Sequence, residues 1–264
     1  VRDGEFRDPQ LVPVYDAECP WGPDDDFFLS LVTASLMTGS PVTDPASAGT
    51  PPARVRDLGC GTGRLTVALA AAGHPVTGVD PAGPALAAAR RRPGADRVTW
   101  VEGTSASLPR AAFDVAVLTS HVAQVFVTDD EWARTLADLA RALGPGGRLA
   151  FDSRDPAARA WKRWNPVDSR RVVRLPDGRE VRAWTEVTAV HAGVVDFTHH
   201  YAFPGGDARR SSSRLRFRGE AELRASVEAA GFAVERVYGG WARQPVGAGD
   251  GELVVVARRL SAPG

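Results

Sequence analysis

The chain of 264 residues is 44% apolar and 24% charged, the make-up of a soluble globular protein, with length for one decorated domain or two small ones. Its formal net charge of zero supplies no global field to recruit nucleic acid or an anionic membrane, so neither partner is expected. Two cysteines, Cys19 and Cys60, form neither a disulfide framework nor a metal-ligand spacing, and the one lysine, Lys162, follows no glycine-rich loop, which argues against Schiff-base and phosphate-loop chemistry. Residues 1–50 read as a preface, in which "DDDFFLSLVTASL" from Asp24 to Leu36 predicts a helix with an aspartate cap. "TGSPVTDPASAGTPPA" over 38–53 predicts a linker. From Arg54 to Arg154 strands and helices alternate. The strands are "RVRDLG", "PVTGVD", "VTWVEG", "FDVAVLTS" and "RLAFDS". The helices between them are "RLTVALAAAG", "GPALAAARRR" and "DEWARTLADLARALGPGG". Such alternation implies parallel strands joined by right-handed crossovers, with ligands at the carboxyl ends of the strands.

Beyond Arg154 the pattern changes to hairpins. "RRVVRLPDGREVRAWTEVTAV" holds two strands around a Pro-Asp-Gly turn, "VVDFTHHYAFPGG" adds a third, and "SRLRFRG" a fourth. A helix in "GEAELRASVEAAGF" and strands in "AVERVYGGW" and "GELVVVARR" close the chain. The expected organisation is therefore an N-terminal lid and linker over 1–50, a nucleotide-binding core over 51–155, an antiparallel flap over 156–218 and the remainder of the core sheet over 219–264. No apolar run approaches the roughly 20 residues of a membrane span, and no signal-peptide pattern opens the chain, so a cytoplasmic location is expected.

Strand, glycine turn and helix together let a backbone approach a nucleotide closely. The glycines Gly59, Gly61 and Gly63 fit neither the dinucleotide fingerprint nor the triphosphate loop. The acids around them say more. Asp57 ends the first strand ahead of the loop, where it would repel a pyrophosphate but suits a cationic ligand. Asp80 ends the second strand, where a carboxylate accepts hydrogen bonds from ribose hydroxyls. Adenosine with a cationic tail satisfies both.

"DLGCGTG" followed by "GVD" resembles the first two motifs of class I S-adenosylmethionine-dependent methyltransferases, and the resemblance runs over about residues 54–154. It implies a Rossmann-like, seven-stranded, mostly parallel sheet carrying an antiparallel β insertion, with S-adenosyl-L-methionine as cofactor and S-adenosyl-L-homocysteine as product. On that resemblance Gly59, Cys60, Gly61, Gly63 and Pro81 lie beside the cofactor, Asp80 holds both ribose hydroxyls, and Asp57 orders the loop and meets the amino group. Many relatives carry Gly-Asp-Ala after the third strand. Here Gly103, Thr104 and Ser105 stand instead, and Thr104 and Ser105 are the expected adenine contacts.

Methyl transfer from a sulfonium needs alignment, exclusion of water and a proton acceptor when the nucleophile has a proton to lose. In "SHVAQVF" after the fourth strand, His121 is the candidate general base, because imidazole titrates near neutrality. Its alternative role is a helix cap or packing group. Gln124 is expected to position substrate or cofactor by hydrogen bonding. "VYDAECPWGPDDDFF" resembles the N-terminal lid of small-molecule methyltransferases, which makes Tyr15 and Trp21 candidates to cover the sulfonium with aromatic faces, against a role as packing aromatics. Arg154 either pairs with an anionic substrate group or makes a surface ion pair. Strand alternation puts His199 and Tyr201 on one flap face and His200 on the other, without saying which face meets the substrate. The expected enzyme methylates a nitrogen or oxygen of a small molecule as a monomer or homodimer. Its alternatives are a peptide or protein side-chain methyltransferase and a non-catalytic cofactor-binding regulator.

Overall fold

The structure is a computed structural model and describes residues 2–35 and 52–261. The linker expected over 38–53 lies, through residue 51, outside the described residues. The core sheet has seven strands: β1 (Val55–Leu58), β2 (Val76–Asp80), β3 (Val98–Glu102), β4 (Phe113–Leu118), β5 (Leu143–Arg154), β10 (Phe232–Tyr238) and β11 (Glu252–Arg259). Their spatial order is β10-β11-β5-β4-β1-β2-β3. The pairs β1–β2, β1–β4, β2–β3 and β4–β5 are parallel, whereas β11 runs antiparallel to both β5 and β10. The expected sheet and its antiparallel insertion are both present.

Central strands of such a sheet are covered on both faces, so they read as apolar runs. All four residues of β1 are buried. One face packs Val55, Val76, Val115 and Val254 against α3 (Pro23–Ser30) and α4 (Arg64–Ala71). The other packs Leu118, Phe151 and Val255 against α6 (Asp129–Ala142) and α7 (Glu220–Ala229). Helix α6 starts on a reciprocal cap: the Glu131 N–H donates to Thr128 Oγ1 at 3.2 Å, and the Thr128 N–H donates to Glu131 Oε2 at 3.0 Å. Strand order reverses between β1 and β4, and ligand crevices open at such a reversal, beyond the carboxyl ends of the strands. The short helix α5 (Gly83–Ala89) follows β2 beside this crevice.

The second sheet holds β6 (Arg171–Arg174), β7 (Glu180–His191), β8 (Val194–Ala202) and β9 (Ala208–Arg216), antiparallel throughout. The β7–β8 turn places Ala192 and Gly193 at φ 47° and 75°, the left-handed pair that matches the twist of a two-residue hairpin.

The N-terminal segment departs from the sequence reading. Two short helices, α1 (Gly4–Arg7) and α2 (Val12–Glu18), precede the expected one, and they pack on the second sheet. Leu11 and Val14 share a buried cluster with Val173, Val181, Tyr201 and Phe203. Helix α3 begins at Pro23 after Gly22, so the expected aspartate cap is replaced: Asp25 in the first turn reaches back to accept the Gly22 N–H at 2.9 Å. Among the described residues no helix is long and apolar enough to cross a membrane.

Candidate active site

A cavity of about 550 Å³ lies between the carboxyl ends of β1, β2 and β4, the N-terminal helices and the inner face of the second sheet. Asp57, Gly59, Cys60, Gly61, Asp80 and Pro81 form one side of it. Gly61 has φ 52°, and a Cβ built there would meet nothing within 4 Å, so its backbone borders open space. Gly63 is different. A Cβ there would come within 2.5 Å of the Trp100 ring, and Gly63 is not among the lining residues. One glycine opens the cavity and the other permits packing against β3.

Both Asp80 oxygens point at the loop: the Gly61 N–H donates to Oδ2 at 2.9 Å and the Ala82 N–H to Oδ1 at 2.8 Å. Each oxygen keeps lone-pair capacity for a further donor. Asp57 is fully buried. Thr66 Oγ1 donates to its Oδ2 at 2.6 Å, while Oδ1 has no protein partner. Burial raises the Asp57 carboxyl to about 6 against the opposing pull of Thr66 and Arg56. Thr104 and Ser105 line the same side, and the Ser105 hydroxyl is committed to Asp138 Oδ2 on α6 at 2.8 Å.

After β4 the chain takes a strained turn, with Ser120 and His121 at φ 56° and 65°. The His121 N–H donates to Asp152 Oδ2 at 2.8 Å. Its Nε2 lies 3.0 and 3.1 Å from the two Glu252 oxygens and 3.4 Å from Asp152 Oδ2. Burial lowers the imidazole to about 4, helped by Arg154. Burial likewise raises Asp152 to about 6 and Glu252 to about 8. Arg154 Nη1 donates to Gln124 Oε1 at 3.0 Å, and its guanidinium lies 5.3 Å from the centre of the Trp164 ring. Arg154 lines the cavity, whereas Gln124 is buried behind it.

Phe197, His199 and Tyr201 of β8, with Ser213 and Leu215 of β9, form the roof. Thr185 Oγ1 sits 2.8 Å from His199 Nδ1, and burial lowers that imidazole to about 4. Burial raises the Tyr15 and Tyr201 hydroxyls, so both stay protonated. The N-terminal helices are tied to the glycine loop by Arg64, whose Nε donates to Asp25 at 3.0 Å and whose Nη1 donates to the carbonyls of Cys19 and Pro20. Thr62 and Arg92 both donate to Asp16.

Residues 55–147 match a family described as a methyltransferase domain. The cypemycin N-terminal methyltransferase of a Streptomyces species is 30% identical over 206 residues, which span 78% of this chain and 82% of that protein. This chain belongs to the class I S-adenosylmethionine-dependent methyltransferases. The CcbJ methyltransferase of Streptomyces caelestis shares the fold, with a TM-score of 0.71 at 22% identity over 98% of this chain and 99% of that one. So does CalS10, described as an amino pentose methyltransferase from Micromonospora echinaspora in complex with S-adenosylmethionine, with a TM-score of 0.67 at 22% identity over 95% of this chain and 96% of that one.

The cofactor of this methyltransferase is S-adenosylmethionine. The crevice fits it: Asp57 Oδ1 is a buried carboxylate oxygen without a donor, and the Gly61 backbone faces open space. Of the residues singled out in the sequence, Tyr15, Asp57, Gly59, Cys60, Gly61, Asp80, Pro81, Thr104, Ser105, His121, Arg154 and Tyr201 line one cavity. Three stand apart from it. Gly63 packs against Trp100, Gln124 supports Arg154, and Trp21 is 43% exposed, its Nε1 donating to Asp26 Oδ1 at 2.8 Å.

Sequence reasoning passed over Arg64, Asp152 and Glu252. Arg64 directly follows the third glycine, a visible position. Asp152 lies near the end of the fifth strand in the quoted "RLAFDS", where strand-end acids are worth attention. Glu252 had no such signal, because only the antiparallel β11–β5 register brings it near His121. His121, Asp152 and Glu252 form the one group with metal-site reach among the described residues, their ligand atoms lying within 4.8 Å of one another. The half-buried Arg154 beside them already supplies a positive charge.

Proposed function

We propose that this methyltransferase moves the methyl group of S-adenosylmethionine, by in-line displacement, to a nitrogen or oxygen of a small molecule, with an amine the better-supported acceptor. The observation that carries this reading is the roofed cavity, in which the cofactor loop and an acceptor wall of titratable side chains face one space. Its volume of about 550 Å³ is in the range of small-molecule sites. The relative named for N-terminal methylation and the fold neighbour named for an amino pentose both have amine-bearing acceptors in their descriptions, which supports nitrogen here.

In this reading Asp80 holds the ribose hydroxyls, Asp57 Oδ1 meets the amino group, and Thr104, Ser105 and Pro81 flank the adenine. Bound S-adenosylmethionine supplies a methyl group on a cationic sulfur that leaves as a neutral thioether. Tyr15 stays neutral, so it offers an aromatic face and a hydroxyl rather than a base. The N-terminal helices and the β8–β9 roof exclude water, which strengthens every electrostatic contact inside. His121 accepts the proton that an acceptor amine must lose.

Incubation with methyl-labelled cofactor and a panel of small amines and alcohols tests this by mass spectrometry. One added labelled methyl on an amine is expected, and His121→Ala should lower turnover by about 100-fold or more while cofactor affinity holds. Label appearing only on intact proteins or long peptides overturns the small-molecule reading.

A further inference from the structure

His121 is aimed by two carboxylates that lie outside the cavity lining. Its backbone N–H is caught by Asp152 Oδ2 at 2.8 Å, which secures the left-handed turn that carries the ring. Nε2 then faces Glu252 at 3.0 and 3.1 Å and Asp152 at 3.4 Å. Once Asp152 and Glu252 are ionised they accept and do not donate, so this geometry then selects the tautomer with its proton on Nε2. Nδ1 is the nitrogen left with a lone pair, on a ring that lines the cavity.

We propose that Glu252 and Asp152 are positioning residues for methyl transfer: they fix His121 as the Nε2–H tautomer and stabilise the imidazolium formed when Nδ1 takes a proton from the acceptor. The proposal rests on the methyl-transfer reading above and adds the groups that arm its base. The proton balance is simple. The acceptor nitrogen gives one proton to Nδ1, the ring gains one positive charge, and the Nε2–H bond to Glu252 shortens the separation of opposite charges.

Charge bookkeeping favours a proton over a metal ion. Asp152 and Glu252 bring two negative charges, and Arg154, in register with Glu252 across β5 and β11, brings one positive. One proton neutralises the remainder, whereas a divalent cation would overshoot it. The other charged groups acting on the cluster are Asp24 of α3 and Asp250 ahead of β11, both raising the cost of a second negative charge on Glu252. The side chain of Glu252 is 12% exposed and that of Asp152 is fully buried, so Glu252 is the group that exchanges protons with solvent. Burial holds a proton on Glu252 up to about pH 8, so the base is armed as pH rises through that value.

Nitrogen-15 spectra of the His121 ring, assigned by comparison with His121→Asn, test this in the protein alone across a pH series. The wild-type ring should show a titration step near pH 8 and the Nε2–H tautomer above it. Glu252→Gln should remove that step, and Glu252→Asp should restore it in part. With an amine acceptor found by the labelling panel, Glu252→Gln should lower kcat by about 10- to 100-fold and abolish the rise in rate near pH 8, leaving cofactor affinity unchanged. An Nδ1–H ring in the wild type above the step near pH 8, or a step that survives Glu252→Gln, overturns the proposal. So does micromolar Zn2+ that replaces the Nε2 proton, which would make the cluster a metal site. If Glu252→Gln does not fold, the wild-type tautomer and Asp152→Asn still decide. These spectra need no acceptor, so a barren labelling panel would count against the methyl-transfer reading and leave the tautomer result standing.

Discussion

Asp57 and Asp80 are both strand-end carboxylates, yet their surroundings set them different tasks. Asp80 accepts one backbone N–H on each oxygen and keeps room for two hydroxyls. Hydrogen bonds to a charged group contribute about 1.5–3 kcal/mol each, so losing both with Asp80→Ala should weaken S-adenosylmethionine binding by roughly 100-fold or more in calorimetry. Asp57 has an orphaned oxygen and titrates near 6. Below that value it is neutral and offers nothing to a cationic amino group. Cofactor affinity should therefore rise as pH increases from about 5 to about 7, and Asp57→Asn should flatten the rise. The glycines separate in the same way. Gly61→Ala places a methyl in the cavity on a left-handed backbone, so it should weaken cofactor binding and cost about 1–2 kcal/mol of backbone strain without a clash. Gly63→Ala drives a methyl into Trp100 and should cost about 1–3 kcal/mol of stability, read as a lower melting temperature. The motif names both glycines as cofactor neighbours, and only the packing of Trp100 tells them apart.

At the scale of elements, the roof and the lid form one unit. Leu11, just ahead of α2, and Val14 within it are buried against β6, β7 and β8, so the segment that covers the cavity is anchored to the inserted sheet. Arg64 joins that unit to the cofactor loop through Asp25 and the carbonyls of Cys19 and Pro20. Arg64→Met should leave the core sheet folded but speed amide exchange across residues 12–30, an effect that bound cofactor should partly reverse. Unchanged exchange would show that hydrophobic contacts alone hold the lid. The sequence made the inserted hairpins legible because period-two alternation and the Pro-Asp-Gly turn are local signals. The helices α1 and α2 were not legible, since each is too short for a helical period to emerge, and their stability comes from tertiary burial. The roofing face was half legible. Alternation paired His199 with Tyr201, and only the docking of the sheet shows that this pair faces inward.

At the scale of the molecule, fold and cofactor follow from a run of local motifs in order, whereas the cluster behind the proposed acceptor side is built from residues far apart in the chain. His121, Asp152 and Glu252 converge only because β11 inserts antiparallel beside β5, which no spacing in the sequence announces. That convergence leaves a signature in stability. Glu252 titrates near 8 in the folded protein, above its value in an unfolded chain, so the native state holds a proton that unfolding releases. Its stabilisation is present at low pH and lost as pH rises through about 8. The lowered His121 and His199 act oppositely, losing stability as pH falls from the ordinary imidazole value toward 4, a window in which the raised Asp57 and Asp152 offset them. The melting temperature should therefore fall between about pH 6.5 and about pH 8.5, and Glu252→Gln should remove most of that slope. The most direct test of the whole account is a crystal structure with S-adenosylhomocysteine bound. It should place the ribose on Asp80 and the sulfur opening toward His121 and Tyr15 beneath the His199–Tyr201 face. A sulfur turned away from that face, or a ribose held elsewhere than Asp80, would contradict it.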